Sequence, residues 1–254
     1  TRDPGGANRI VALDPATGSE DTGRGFANET SKGGDGSSIG IITGLLGDYA
    51  TGRIYATTRS GGSSATVWCV DVSGATAQLV WSAAVGDADA APSLRSGVLY
   101  VGTLTGEVVA LDADTGTVRW TYATGDGPVK AVVWPSFANA DLYLATTNTL
   151  WALTDTGSSA SLHWSVTAVP TPSSPLERLG SGRLLVGGGD GKLYELDAVT
   201  GTVQGSVAVA SGQLGSPSYD STSALALVGA EDGTVSAVSM SAGAAPVRGV
   251  HPLW

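Results

Sequence analysis

Carboxylates carry the widest chemical reach in this chain. Asp112-Ala-Asp114, Asp87-Ala-Asp89 and Glu231-Asp232-Gly233 each place oxygen atoms at spacings that could ligate a hard cation. None forms an EF-hand loop, because counting from Asp112 puts Gly at the fifth place and Ala123 at the twelfth. Turn capping is therefore their expected role. A Gly-, Ser- and Asp-rich stretch holding Glu20, Asp21, Glu29 and Asp35 is the place where a structural Ca²⁺ would be expected. Gly36-Ser37-Ser38-Ile39-Gly40 matches a nucleophile elbow in letters only, since no strand-to-helix turn is available to strain the serine. His163 and His251 are the two candidate bases, too few for a convincing triad or zinc site beside the single Cys69. The nearest approach to a phosphate loop, Gly187 to Lys192, reads as a hairpin turn and opens no helix. No catalytic or cofactor-binding residue emerges.

Composition narrows the classes. The chain has 254 residues, 42% hydrophobic and 14% charged, with 37 Gly, so it can bury a sizeable core and is neither a disordered acidic tail nor a coiled coil. A formal charge of −10 and only the lysines Lys32, Lys130 and Lys192 argue against nucleic acid, which demands a basic face. The most apolar run, Ile39 to Leu46, is interrupted by Gly40 and Gly44 and is far too short for a membrane span, so no membrane insertion is expected. One cysteine excludes an internal disulfide. The first residue, Thr1, and the low-charge surface fit an exported protein whose leader has been removed, or a piece of a longer chain.

The elements that position these side chains repeat. An apolar-apolar-Asp turn recurs as Val11-Ala12-Leu13-Asp14, Cys69-Val70-Asp71, Val109-Ala110-Leu111-Asp112, Trp151-Ala152-Leu153-Thr154, Tyr194-Glu195-Leu196-Asp197 and a degenerate Ser236-Ala237-Val238-Ser239. Successive anchors stand 57, 41, 42, 43 and 42 residues apart, and a loop insertion over 19–38 accounts for the long first spacing. The clearest copy runs Val98 to Gly102, a turn at Thr105-Gly106, Glu107 to Asp112, a turn at Asp114-Thr115-Gly116, then Thr117 to Tyr122. A further strand precedes each copy, at Ala91 to Leu94, Ala131 to Trp134 and Gly215 to Tyr219. No segment shows a helical apolar period. Four short strands every 40-odd residues are the pattern of a β-propeller blade, because one twisted sheet cannot bury both its faces and must stack on its neighbours.

Ala110-Leu-Asp-Ala-Asp-Thr-Gly-Thr-Val-Arg-Trp120 resembles the tryptophan-docking repeat of the PQQ-like (quinoprotein) propeller superfamily, with partial copies at Ala12 to Gly18 and Leu196 to Val203. Trp81 and Trp164 hold the docking position after longer turns, and Gly205 replaces the tryptophan in the fifth copy. The resemblance implies a girdle of Trp81, Trp120 and Trp164 packed between adjacent blades, with Gly18, Gly116, Gly157 and Gly201 as further blade-docking positions. It also implies an all-β propeller of about five to six four-stranded blades, spanning 1–254 as one domain. Six third strands but five second strands are counted, beginning at Arg9, so the first blade is expected to be incomplete and the chain to be the C-terminal part of a longer one, with upstream residues or another chain completing the blade.

Members of that superfamily are of two kinds. Quinoprotein dehydrogenases hold PQQ and Ca²⁺ and often an adjacent cysteine pair, which this chain lacks. Non-catalytic members include outer-membrane assembly scaffolds and large bacterial cell-surface proteins. Asp126 to Lys130, Leu150 to Gly157 and Gly187 to Tyr194 are most similar to the latter, in the manner of the C-terminal part of long secreted bacterial proteins. The expectation is a non-catalytic, secreted, cell-surface or periplasmic binding or scaffold module without a cofactor, joined to a protein partner or to upstream blades. The alternative is a fragment of a PQQ- and Ca²⁺-dependent alcohol or sugar dehydrogenase.

Overall fold

A computed structural model describes residues 8–26, 40–59, 65–240 and 247–249. The described residues hold strands and turns and no helix. The chain divides into two compact units, Thr1–Thr121 and Tyr122–Trp254.

The first unit opens with a two-stranded sheet, β1 (Ile10–Leu13) and β2 (Glu20–Phe26). A four-stranded sheet follows, ordered β3 (Ile41–Asp48), β4 (Arg53–Arg59), β5 (Val67–Asp71) and β6 (Gln78–Ala83). The next consists of β7 (Ser93–Arg95), β8 (Val98–Gly102), β9 (Glu107–Asp112) and β10 (Val118–Ala123), whose last two residues pass into the second unit. The second unit has three such sheets. They are β11 (Trp134–Pro135) to β12 (Asp141–Ala145), β13 (Leu150–Asp155) and β14 (Ala160–Val166); β15 (Leu176–Arg178) to β16 (Arg183–Gly187), β17 (Lys192–Asp197) and β18 (Val203–Ala208); and β19 (Ser218–Asp220) to β20 (Leu225–Gly229), β21 (Val235–Ser239) and β22 (Val247–Gly249). Each is an antiparallel meander with sequential neighbours, as short hairpin connections dictate.

Two expectations require correction. The stretch 19–38 is not loop throughout: Glu20 to Phe26 forms β2, pairing Leu13 with Glu20 and Ile10 with Phe26. Phe26 is buried against Trp68 and Ala56, and Arg9 grips Glu20 with two hydrogen bonds of 2.6 and 3.0 Å. Burial of Phe26 and pairing with β1 outweigh the loop composition of Thr22-Gly-Arg-Gly25. Residues 27–39, including the Gly36 to Gly40 pattern, Glu29 and Asp35, lie outside the described residues. The first strands are also shorter than read from sequence, reduced to two or three residues in β7, β11 and β19. Before β11 the chain instead gives Val132 N–H to the Ser174 hydroxyl, at 2.8 Å.

The second strands Val98–Gly102 and Asp141–Ala145 are buried at every residue and read as near-continuous apolar runs. In the first unit one core joins β1–β2 to the β3–β6 sheet through Ile10, Phe26, Trp68 and Val70, and a second joins that sheet to β7–β10 through Tyr55, Cys69, Trp81, Leu99 and Leu111. The second unit repeats the arrangement, with Tyr143, Ala152 and Trp164 packed on Leu184 and Leu196, then Leu185 and Leu193 on Ala226 and Val238.

Candidate functional site

The most exacting geometry lies where a fourth strand meets the turn of the following sheet. Trp81 on β6 donates its indole N–H to the Ala113 carbonyl at 3.0 Å, and Trp164 on β14 does the same to Ala198, also at 3.0 Å. Below each ring sits a turn glycine whose missing side chain makes the room. A Cβ on Gly116 would fall 2.5 Å from Trp81 Cε3, and one on Gly201 would fall 2.7 Å from Trp164 Cε3. Tyr55 and Tyr143 back the two indoles with ring centroids 6.0 Å away and donate their hydroxyls to the same carbonyls, at 3.3 and 3.4 Å. Trp120 is buried with its ring 6.1 Å from Tyr100. At Gly18 and Gly157 a Cβ would meet none of the described residues within 4 Å.

The turns that receive the indoles are built alike. In Asp112 to Gly116 the Gly116 N–H reaches the Asp112 carbonyl at 2.8 Å, and Asp112 Oδ1 accepts the Asp114 and Thr115 N–H groups at 3.0 Å each. Asp197 to Gly201 and Asp14 to Gly18 have the same bonds within 0.2 Å. Their glycines share φ near +70°, a region costly for a residue with a Cβ. The anchor carboxylates thus cap turns. Arg119, donating to Asp112 Oδ2 at 2.7 Å, and the Thr115 bonds hold the Asp112 carboxyl down to about 2.

The other candidate residues are separated. Asp89 pairs with Arg59, and Asp114 with Arg53 at 2.6 Å. Asp232 accepts from Ser211 and Thr234, which hold its carboxyl well below the usual range. Glu20 is taken by Arg9, and Asp21 caps Gly23 N–H at 3.1 Å. His163 Nδ1 stands 3.1 Å from Asp141 Oδ2 on β12, with Thr154 donating to the other oxygen at 2.8 Å. His251 lies outside the described residues. Burial pushes the Cys69 thiol up to about 12, which leaves it an inert core side chain. Among the described residues no three His, Cys, Asp or Glu side chains are grouped to hold a metal ion.

Three features were not anticipated from sequence. Glu177 on β15 is buried, and its carboxylate accepts the Ser136 hydroxyl at 2.9 Å and the Phe137 N–H at 3.2 Å, tying two sheets of the second unit. Arg178 beside it pairs with Glu195, donates to the Met240 carbonyl at 3.2 Å and stacks 4.9 Å from the Tyr219 ring centroid. Trp68 and Trp151, at matching places on β5 and β13, donate to Thr58 and Thr146 at 3.2 and 3.0 Å. The recurrence of Trp three residues before the Asp71 and Thr154 anchors was the signal that could have found the last pair. On the turns of the second unit Phe137 and Leu179 are each 65% exposed and Val199 is 61% exposed; on the first, Tyr49 stands almost wholly in solvent.

Comparison with known proteins accounts for this architecture. A family profile described as outer membrane protein assembly factor BamB matches residues 50–254. No curated protein matches the chain. Among solved structures, BamB from Moraxella catarrhalis is similar at 20% identity and a TM-score of 0.56, over 81% of this chain and 59% of that one. The chain therefore spans less than two thirds of that relative. The Cps50 (Swd1) β-propeller domain of Myceliophteria thermophila is similar at 14% identity and a TM-score of 0.63, over 80% of this chain and 68% of that one. A chain of a mitotic checkpoint complex is similar at 16% identity and a TM-score of 0.74, over 96% of this chain and 74% of that one. These likenesses establish an all-β, propeller-type fold. With most of its length matched by the profile, the chain belongs to the PQQ-like β-propeller family described by outer membrane protein assembly factor BamB.

Proposed function

We propose that the chain is a non-catalytic protein-binding or scaffold module, working outside the cytoplasm as part of a larger cell-surface or outer-membrane assembly and needing no cofactor. The observation that carries this reading is a set of large apolar side chains held in solvent by stiff turns. Phe137 is fixed through its N–H to buried Glu177, Leu179 follows two residues after that glutamate, and Val199 adjoins Ala198, whose N–H is bonded to Gly182 at 2.9 Å. Exposed apolar groups on rigid turns fit protein contact better than small-molecule chemistry. The family description, an outer-membrane assembly factor, supports both the role and the location, and the small lysine count and low charged content fit the location.

Native mass spectrometry of the protein from its own source tests the reading. The expected result is a discrete complex with another protein, whose population falls at least tenfold in the double variant Phe137→Asp, Leu179→Asp. A mass shift matching PQQ plus Ca²⁺ would instead place the chain among the quinoprotein dehydrogenases, and a complex indifferent to both substitutions would remove the turn surface from the reading.

A further inference from the structure

Two aromatic rings meet at a near-right angle where the turn after β11 reaches solvent. Phe137, largely exposed, has its ring centroid 6.3 Å from that of half-buried Trp134, with the two planes inclined at 77°. Trp134 packs on the core of the second unit, which fixes one wall, and the bond from Phe137 N–H to Glu177 fixes the backbone of the other. A pair set edge to face leaves a corner walled by two π faces, each of which carries negative charge density. A carboxylate lies behind that corner. Glu177 is buried, and its two partners, the Ser136 hydroxyl and the Phe137 N–H, are both neutral. Arg178, next to it on β15, points to the opposite side of the strand and pairs with Glu195, while Arg183 pairs with Asp197. Among the described residues no ion pair neutralises Glu177. Its field reaches its neighbours: burial, and then the charges of Asp141 and Glu177, push the Tyr143 phenol up to about 12. A charge in a dry setting acts more strongly than one in water, and the formal −10 of the chain has the same sign.

We infer that the corner between Phe137 and Trp134 seats a cationic side chain, lysine or arginine, presented by a protein partner. The cation rests against the two ring faces, where the quadrupole of each attracts it, and Glu177 supplies an uncancelled negative charge from behind the turn. The charge decides the kind of partner. An acidic group brought to this corner would be repelled by Glu177, and a purely apolar one would leave that charge without a counter-ion. The inference rests on the binding-module reading, to which it adds the chemistry of the partner's contact.

Titration of ¹⁵N-labelled protein with the peptide acetyl-Gly-Arg-Gly-Arg-Gly-amide tests the seat. Saturable shifts are expected at the Trp134 indole N–H and at the Phe137, Ala138 and Leu179 amides, in roughly the millimolar range. The same peptide with citrulline in place of arginine is neutral and nearly isosteric, and should give none. Phe137→Leu keeps an apolar group but removes one π wall, and should weaken binding about two- to fivefold. Because Phe137 is exposed, this variant stays folded and decides the matter even where Glu177→Gln does not fold. Glu177→Gln keeps an acceptor for the Phe137 N–H while removing the charge, and should weaken binding to a like extent. Asp220→Asn, which removes one charge elsewhere in the same unit, should leave it unchanged. Shifts spread over the acidic turns, equal shifts with the citrulline peptide, or an affinity undiminished in Phe137→Leu would overturn the inference. A native complex that is lost in the Phe137→Asp, Leu179→Asp variant yet indifferent to both Phe137→Leu and Glu177→Gln would sink the cation seat and leave the binding-module reading standing.

Discussion

Replacing the glycine of two matched turns by alanine isolates the energy of indole docking. Gly18 and Gly116 both belong to the first unit, have φ of +70° and +71°, and close turns with the same backbone bonds. Gly18→Ala therefore carries only the conformational penalty of a Cβ in the left-handed region, about 1–2 kcal/mol. Gly116→Ala carries that penalty and a collision, with Cβ 2.5 Å from Trp81 Cε3 and 2.6 Å from Cδ2. The indole cannot give way cheaply, because it is buried and its N–H is held by Ala113 at 3.0 Å. Overpacking of this kind adds about 1–3 kcal/mol. The expected losses are thus about 1–2 kcal/mol for Gly18→Ala and about 2–5 kcal/mol for Gly116→Ala. Urea unfolding followed by tryptophan fluorescence measures both, and Tm should fall roughly 2–4 °C per kcal/mol. Equal losses in the two variants would refute the claim that the ring, rather than the turn, demands glycine at position 116.

Other outcomes follow from the same geometry. Trp164→Phe keeps a ring over Gly201 but removes the donor to the Ala198 carbonyl, and should cost about 1–3 kcal/mol by urea titration. Glu177→Ala should cost a similar amount, about 1–3 kcal/mol, because the Ser136 hydroxyl and Phe137 N–H lose their buried acceptor. The carboxyls of Asp14, Asp71, Asp112, Asp197 and Asp232 are all held below their ordinary range, so the folded state binds fewer protons than the unfolded one. Their contribution is complete above about pH 4 and is lost as pH falls through the folded values, near 2 for Asp112; acid titration of Tm should show the fall, and Asp112→Asn should flatten it. Cys69, pushed up to about 12, stays a neutral thiol, and a thiol reagent at pH 8 should label it only after denaturant is added.

Much of the fold was legible in the residues. Val98 to Gly102 and Glu107 to Asp112 were read at the strand bounds the structure has, because apolar runs between Gly-containing turns leave little freedom. The third strands β5, β9, β13, β17 and β21 were legible for the same reason, and three of their anchors, Asp71, Asp112 and Asp197, accept N–H groups of the turn that follows. The strand β2 was not legible, since Thr22-Gly-Arg-Gly25 has the composition of a loop and becomes a strand only when β1 lies beside it and Phe26 finds Trp68. The first strands were misplaced by a few residues because an edge strand pairs on one side only, and the sequence contains no local stop signal there.

The sequence by itself determined what short-range chemistry can settle: the all-β class, the repeat, the positive-φ glycines and the capping aspartates, all set by residues within about five positions of one another. Tertiary structure alone decided which docks are filled. Gly18, Gly116 and Gly201 occupy one local motif with one backbone shape, yet Trp81 and Trp164 cover two of them, whereas a Cβ on Gly18 would meet none of the described residues within 4 Å. A turn is fixed by its own hydrogen bonds, whereas the ring over it comes from a distant strand, 32 residues from Ala113 for Trp81 and 34 from Ala198 for Trp164. The same distinction separates Leu13 from Leu111, with the same residues on either side: Leu111 is wholly buried because it packs with Tyr55 and Trp81 of the β3–β6 sheet, while Leu13 is 60% exposed.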